Sequence, residues 1–188
     1  MNHKLLLMCG VPGSGKSTLA KKIAESCKTT VTYVSRDDIR FKLLLDTETQ
    51  AEFNAAFANR ENADTEEKAN YIQEHYFKKE KEVYREFINA IKAGLTSSDL
   101  TIADATHLNE LSRAKLLRAL GDSLKDVEVN VMVVKVSLDT AVAHNENRRG
   151  SIAYVPLHSI KNMYDAFTMP SLEEGFDNIY IYEGDNNG

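Results

Sequence analysis

Hydrophobic and polar positions follow two alternating patterns along most of the chain. Short apolar runs predict five strands, at Leu5–Cys9, Val31–Val34, Leu100–Ala103, Val127–Val136 and Ile179–Tyr182. Apolar residues at helical spacing between them predict helices at about 17–27, 36–45, 65–93, 109–121, 138–148 and 157–167. Strands separated by helices form βαβ units. The sequence therefore predicts an α/β fold, with a parallel five-stranded sheet and helices on both faces.

The longest predicted helix has a recognisable start, end and buried face. Asp64 can cap its N-terminus with Glu67 three residues later, and Gly94 can end it. Its apolar positions recur on one side, at Ile72, Tyr76, Val83, Phe87 and Ile91. This face is interpreted as core. The preceding segment, 46–63, carries Phe53 and Phe57 four residues apart and is interpreted as a loop or short mobile helix beside the substrate.

Composition agrees with one compact domain spanning residues 1–188, with 43% hydrophobic and 27% charged residues. The apolar run near the N-terminus is about six residues long, too short for a membrane span or the core of a signal peptide. The two cysteines, Cys9 and Cys27, do not have metal-ligand spacing and are expected to be buried and reduced. A cytoplasmic protein without a membrane partner is expected; the oligomeric state stays open.

The net charge of −5 does not decide whether the partner is anionic. Residues 171–188 contain five acidic and no basic residues, so residues 1–170 balance at 23 of each sign. A neutral body can still present a local basic groove, and nucleic acid therefore remains open as a substrate.

Residues 10–18 read Gly-Val-Pro-Gly-Ser-Gly-Lys-Ser-Thr and match the pattern G-x-x-x-x-G-K-[ST]. An apolar strand precedes them and a helix follows, which is the context that a phosphate-binding loop requires. Glycines let phosphate oxygens approach successive backbone N–H groups, and the helix N-terminus favours the anion. The predicted ATP-binding residues are Gly13, Ser14, Gly15, Lys16, Ser17 and Thr18. Lys16 is expected to reach the β- and γ-phosphates, and the Ser17 hydroxyl to ligate Mg²⁺.

Ligands of open α/β sheets bind beyond the carboxyl ends of the strands, where Arg36-Asp37-Asp38-Ile39-Arg40 follows the second strand. Asp37 could accept a proton from an attacking hydroxyl, and Arg40, three residues later, could fix the acceptor. Ser35 or Asp37 could equally serve as the helix N-cap, with the arginines in solvent. The sequence leaves both interpretations open.

Asp104 closes the third strand and is a candidate partner of Mg²⁺ on the side of the phosphate loop. Thr106 and His107 follow and could contact the substrate. Thr106 and Asn109 could instead cap the next helix.

Arg148 and Arg149 precede Gly150 in a segment, residues 145–156, that we call the lid. Arginines in such a place can fold over the nucleotide and neutralise the transferring phosphoryl group. Compensation of the helix dipole is the alternative. We assign Arg148 to ATP binding and Arg149 to catalysis.

Taken in order, these motifs resemble the kinase domain of the phage 5′-polynucleotide kinase family from about residue 5 to 168. The matching positions are the phosphate loop, Arg36–Arg40, Asp104, Arg148-Arg149-Gly150, Val155-Pro156 and Met163-Tyr164. The resemblance implies ATP-dependent phosphorylation of a nucleic-acid 5′-hydroxyl. It also implies that Asp37 is the general base, that Arg40 binds the 3′-phosphate of the acceptor, and that Arg149 is the lid arginine. Asn145 departs from the family, which usually has a basic residue there.

Two further functions share parts of this pattern. Small-molecule P-loop kinases that act on nucleosides, sugars or zeta-toxin-like substrates share the phosphate loop and much of the Arg36–Arg40 motif. An ATP-binding switch would have the phosphate loop but no acceptor.

Overall fold

The computed structural model describes residues 3–44, 74–75, 77–151 and 153–184. Its five strands are β1 (His3–Cys9), β2 (Val31–Ser35), β3 (Leu100–Asp104), β4 (Val127–Lys135) and β5 (Asn178–Glu183). They form one sheet in the order β2-β3-β1-β4-β5, and each neighbouring pair is parallel. The predicted parallel five-stranded sheet is confirmed.

The helices lie between the strands, as predicted. They are α1 (Lys16–Ser26), α2 (Arg36–Leu44), α3 (Glu80–Ser97), α4 (Glu110–Leu120), α5 (Leu138–Glu146) and α6 (Leu157–Asp165). Short 3₁₀ turns follow at Gly121–Leu124 and Leu172–Glu174. The predictions for 46–63, for the cap at Asp64 and Glu67, and for Ile72 and Tyr76 lie outside the described residues.

Gly94 does not end the long helix as predicted, because α3 continues to Ser97. Gly94 is instead the point at which α3 touches the sheet. A Cβ atom there would lie 2.8 Å from Oγ1 of Thr101 and 2.9 Å from Cγ2 of Thr32. The glycine therefore serves close packing of the helix against β2 and β3, a function that only the tertiary structure reveals.

The alternation of side chains along the central strand β1 supplies both layers of the core. Leu5, Leu7 and Cys9 face the layer that includes Phe87 and Ile91 of α3. Leu6 and Met8 face the opposite layer, which includes Ala20 of α1. Because both faces of β1 are covered, the strand is a continuous apolar run.

A third apolar cluster joins α5 and α6 to the end of β4 through Val136, Ala141 and Ile160. It places the lid, which connects these two helices, at the carboxyl edge of the sheet. None of the helices among the described residues combines the length and apolar character that a membrane crossing requires. Cys9 is buried as expected, whereas Cys27 at the end of α1 is exposed, which corrects its prediction as a core residue.

Candidate functional site

The phosphate loop leaves the central strand β1 and enters α1, so its backbone N–H groups lie at a helix N-terminus. Gly13 has φ +83° and packs against α5, where a Cβ would lie only 2.2 Å from the carbonyl oxygen of Ala141. Glycine is thus required at this position by both backbone angle and space. Ser14 Oγ is buried, and among the described residues it has no hydrogen-bond partner. The loop has the form of an anion cradle and fits a nucleotide phosphate.

Lys16 begins α1, and its ammonium donates to the carbonyl oxygen of Val11 at 3.4 Å. Burial lowers the pKa of Lys16, while the carboxylates of Asp104 and Asp37 act in the opposite direction. The ammonium therefore lies in a field that both carboxylates create. Such a partly desolvated cation interacts strongly with an arriving phosphate.

The residues predicted to hold Mg²⁺ share one cavity. Ser17, in the first turn of α1, and Asp104, at the end of β3, line the same cleft. Asp104 is buried, and its Oδ2 accepts a hydrogen bond of 2.6 Å from the Tyr33 hydroxyl. One hydroxyl and one carboxylate, completed by phosphate oxygens and water, form the oxygen ligand set that Mg²⁺ prefers. The donor set fits the ion.

This cleft, which we call the Asp37 cleft, has a volume of about 220 Å³. It brings together residues from the phosphate loop, α2, α3, the end of β3 and the lid. The predicted site residues that line it are Gly13, Gly15, Lys16, Ser17, Thr18, Asp37, Arg40, Asp104, Thr106 and Arg148.

A second cleft, of about 490 Å³, lies on the other side of the phosphate loop and is called the His144 cleft. Gly13, Gly15, Thr18 and Arg148 line both clefts, whereas Ser14 lines only this one. His144 contributes Nδ1, which lies 2.9 Å from the carbonyl oxygen of Gly13. The loop is therefore accessible from two sides, and a ligand that spans it can occupy both clefts.

Ser35, rather than Asp37, caps α2. Its Oγ accepts a hydrogen bond of 3.1 Å from the backbone N–H of Asp38. The Asp37 carboxylate instead accepts a hydrogen bond of 2.6 Å from Nη1 of Arg40, and its side chain is 63% exposed. The sequence left Ser35 and Asp37 open as the N-cap of α2, and the structure assigns the cap to Ser35.

Arg40 lies on the same face of α2 as Asp37, as the spacing of three residues predicts. Its side chain is only 6% exposed, and Nη2 donates to Glu80 Oε2 at 2.8 Å. Glu80, the first residue of α3, also accepts a hydrogen bond from Arg36. Sequence reasoning missed Glu80, since nothing local to residue 80 signals a partner 40 residues away.

Thr106 and His107 lie in different environments, although they are neighbours in the sequence. Thr106 lines the Asp37 cleft, and its carbonyl accepts a hydrogen bond of 3.0 Å from Gly10 N. His107 is buried, with Nδ1 2.7 Å from the carbonyl oxygen of Met8. Burial lowers the pKa of His107 to about 4, so the ring is neutral at pH 7. His107 is a structural contact rather than the substrate contact considered above. Asn109 forms the cap of α4, with Ser112 completing a capping box.

Behind this segment lies Arg113 of α4, which is fully buried and was not predicted as a site residue. Its guanidinium pairs with both carboxylate oxygens of Glu174, at 2.7 and 2.8 Å. It also donates to the carbonyl oxygens of His107 at 3.1 Å and Thr168 at 2.9 Å. Arg113 thus ties the segment that carries Thr106 to the C-terminal part of the fold.

The lid departs from the prediction at Arg149. Nε of Arg149 donates to Glu146 at 2.6 Å, and its guanidinium lies 5.4 Å from the ring centre of Tyr154. Arg149 lines neither cleft, whereas Arg148 lines both. Arg148 and Arg149 lie in the turn that follows α5, and their side chains take different directions there. The structure therefore places Arg148, and not Arg149, beside the phosphate loop.

Asn145 fixes the base of the lid. It is buried, donates to the carbonyl oxygen of Val155 at 2.8 Å and accepts from the N–H of Val155 at 3.0 Å. Where the resembling family usually has a basic residue, this chain uses an amide to join the two ends of the lid. Asn145 lines neither cleft, so in this chain it makes a structural contact.

The comparisons with known proteins agree with this geometry. A family model described as an AAA domain matches residues 5–170. No curated protein matches the sequence.

Solved structures share the fold at low sequence identity. A sugar kinase from Janibacter sp. is 14% identical over 97% of this chain and 86% of its own, with a TM-score of 0.54. Kti12 from Chaetomium thermophilum, in complex with ADP-AlF3, is 18% identical over 97% and 90%, with a TM-score of 0.59. A chain of the Pnkp1/Rnl/Hen1 RNA repair complex is 18% identical over 87% of this chain but 43% of its own, with a TM-score of 0.51. The chain has a P-loop kinase-like fold.

The buried ion pair behind the site generates a stability prediction. Glu174→Gln removes the charge that compensates Arg113 and is expected to destabilise the protein by about 3–5 kcal/mol. The neighbouring Glu173 is exposed, so Glu173→Gln is a matched control with an expected effect below about 0.5 kcal/mol. Urea unfolding of the two variants measures the difference. Equal unfolding midpoints would show that the pair does not hold this part of the fold together.

Proposed function

We propose that this chain, which belongs to the AAA-domain family over residues 5–170, is an ATP-dependent kinase acting on the 5′-hydroxyl of a polynucleotide. The observation that carries the proposal is the composition of the Asp37 cleft. It holds a phosphate-loop lysine, a carboxylate suited to deprotonate a hydroxyl and a buried arginine suited to bind an acceptor anion. A nucleotide-binding switch requires the first of these but not the other two.

The phosphate loop supplies the donor site. Backbone N–H groups around Gly13 and Gly15 and the ammonium of Lys16 hold the phosphates of ATP, while the His144 cleft accommodates the nucleoside. Ser17 and Asp104 would hold Mg²⁺, and Tyr33 orients the Asp104 carboxylate. When bound, Mg²⁺ neutralises charge that develops on the phosphates.

Asp37 and Arg40 act on the acceptor. The Asp37 carboxylate accepts the proton of the attacking hydroxyl as its oxygen bonds to the γ-phosphorus, while the bond from that phosphorus to the bridging oxygen breaks and ADP leaves. Arg40 holds the Asp37 carboxylate in place through their hydrogen bond and contributes a cation to the same cleft. Phosphoryl transfer needs little covalent assistance from the protein, so positioning and charge supply most of the catalysis.

Arg148 is the cation that we assign to the transferring phosphoryl group. It lines both clefts, so a group at this position can contact phosphates that are bound to the loop. Arg149, by contrast, is held by Glu146 and Tyr154. We therefore assign to Arg148 the catalytic role that the resemblance implied for Arg149.

Two arginines favour a polynucleotide acceptor. Arg36 and Arg40 both line the Asp37 cleft, and guanidinium groups bind phosphate oxygens in bidentate geometry. The motif resemblance and the fold shared with a chain of an RNA repair complex support the same acceptor. The cleft volume of about 220 Å³ favours the second candidate, a small-molecule kinase, because such a space also encloses a sugar.

The acceptor is tested by measuring transfer from radiolabelled ATP to a short oligonucleotide with a free 5′-hydroxyl, a nucleoside and a sugar. We expect the oligonucleotide to be labelled efficiently and its binding to weaken as salt rises, owing to counterion release. An oligonucleotide with a blocked 5′-hydroxyl is the control. Efficient labelling of the sugar or nucleoside alone would assign the chain to the small-molecule kinases.

The general base is tested with Asp37→Asn. We expect kcat to fall by roughly 10²–10⁴-fold, because the amide cannot accept the proton, with little change in ATP affinity or stability. The adjacent Asp38 is exposed and does not line the cleft, so Asp38→Asn is the matched control with near-normal turnover. An active Asp37→Asn variant would remove Asp37 from the mechanism.

The lid is tested by exchanging each arginine for lysine. Arg148→Lys keeps the charge but loses the planar fork, so we expect kcat to fall by about 10-fold or more. Arg149→Lys should retain most of the activity, because Arg149 lines neither cleft and its contacts Glu146 and Tyr154 also lie outside both. The opposite order of activities would restore Arg149 as the catalytic arginine.

A further inference from the structure

Glu80 forms a carboxylate bridge between two guanidinium groups in the wall of the Asp37 cleft. Its Oε1 accepts from Arg36 and its Oε2 accepts from Nη2 of Arg40 at 2.8 Å. All three residues line the cleft, and the Glu80 side chain is 29% exposed. The bridge is therefore open to a ligand in the cleft.

A carboxylate held by two arginines has the geometry of a bound phosphate. The carboxylate is planar and the phosphate is tetrahedral, but each offers separate oxygens to separate guanidinium groups. Both are bound through charge-assisted hydrogen bonds. The phosphodiester of a polynucleotide offers one charge and two free oxygens, as the carboxylate does, and the monoester of a nucleoside 3′-phosphate carries more charge and a further oxygen, so each can compete for the same donors. Nε of Arg36 is also buried without a hydrogen-bond partner among the described residues, which leaves a donor for a larger anion.

We infer that Glu80 is an internal occupant of an anion site formed by Arg36 and Arg40, and that the phosphate group of the acceptor displaces it. The inference rests on the proposed function, since it takes the Asp37 cleft as the acceptor site. Glu80 then determines specificity: an acceptor that carries a phosphate near its hydroxyl can release the arginines, and a neutral acceptor cannot.

The charges of the cleft agree with this role. Among the described residues on the acceptor side of the cleft, Arg36 and Arg40 balance Asp37 and Glu80, so these four groups are neutral together while Glu80 is bound to the arginines. Burial acts to raise the pKa of Glu80, but hydrogen bonds and charge from Arg40 and Arg36 outweigh it and hold that pKa below its ordinary value. Glu80 is thus ionised at neutral pH, and displacement exposes a net positive site to the acceptor.

The competition predicts that removing the Glu80 charge strengthens phosphate binding. Calorimetry measures the Kd of thymidine 3′-phosphate, with the phosphate loop saturated by Mg²⁺ and a non-hydrolysable ATP analogue so that the probe enters the Asp37 cleft. We expect Glu80→Gln to lower this Kd by about tenfold at low salt, because a neutral amide competes weakly for guanidinium groups. Binding of thymidine, which lacks the phosphate, should not improve.

Two variants separate displacement from a general charge effect. Glu82→Gln makes the same change of net charge at an exposed position of α3 and should alter the Kd by less than about twofold. Adding Arg40→Gln to Glu80→Gln should abolish the gain, since the gain acts through Arg40. Glu80→Asp, whose shorter side chain bridges the arginines poorly, should give an intermediate Kd and serves if Glu80→Gln has a lowered Tm.

An unchanged or higher Kd in both Glu80→Gln and Glu80→Asp would overturn the inference and make Glu80 a residue that positions the arginines. This outcome is distinct from failure of the proposed function. If the wild-type protein transfers no phosphoryl group to an oligonucleotide, the polynucleotide acceptor is wrong. A lower Kd for thymidine 3′-phosphate in Glu80→Gln would still support the anion site.

Discussion

The buried guanidinium of Arg113 is the interaction on which the geometry of the site depends. A charged group with no exposure is tolerated only when its donors are satisfied, and here Glu174 together with the carbonyl oxygens of His107 and Thr168 satisfies them. These partners come from separate parts of the chain. The pairing therefore fixes the segment after β3, and through Thr106 and Gly10 it fixes that segment against the phosphate loop.

From this constraint the two clefts follow. The phosphate loop leaves the centre of the sheet between the Thr106 segment on one side and α5 on the other. Gly13 allows α5 to approach closely, while the Thr106 segment borders the Asp37 cleft. A donor nucleotide and an acceptor can thus approach the loop from different sides, which is the arrangement that group transfer requires and a simple nucleotide switch does not.

Local sequence patterns predicted most of the fold. Five apolar runs became the five strands, and the phosphate loop lies between β1 and α1 as its motif requires. These features depend on neighbouring residues, and periodicity or spacing reveals them. The prediction at Gly94 was wrong because glycine ends helices and also permits close packing, and only contact with Thr101 distinguishes the two. The prediction that Cys27 is buried was wrong for a similar reason, since the exposure of its side chain depends on what lies opposite α1.

Contacts among the candidate site residues could be predicted where both partners belong to one motif, and were missed where the partners lie far apart in the sequence. Asp37 and Arg40 pair through one turn of helix, so their spacing was sufficient. Glu80 is 40 residues from Arg40, and Glu174 is 61 residues from Arg113, so no local pattern could indicate either carboxylate. Both carboxylates nevertheless accept hydrogen bonds from arginines near the phosphate loop. In this fold the motifs supply the candidate site residues, while carboxylates distant in the sequence hold the arginines beside them in place.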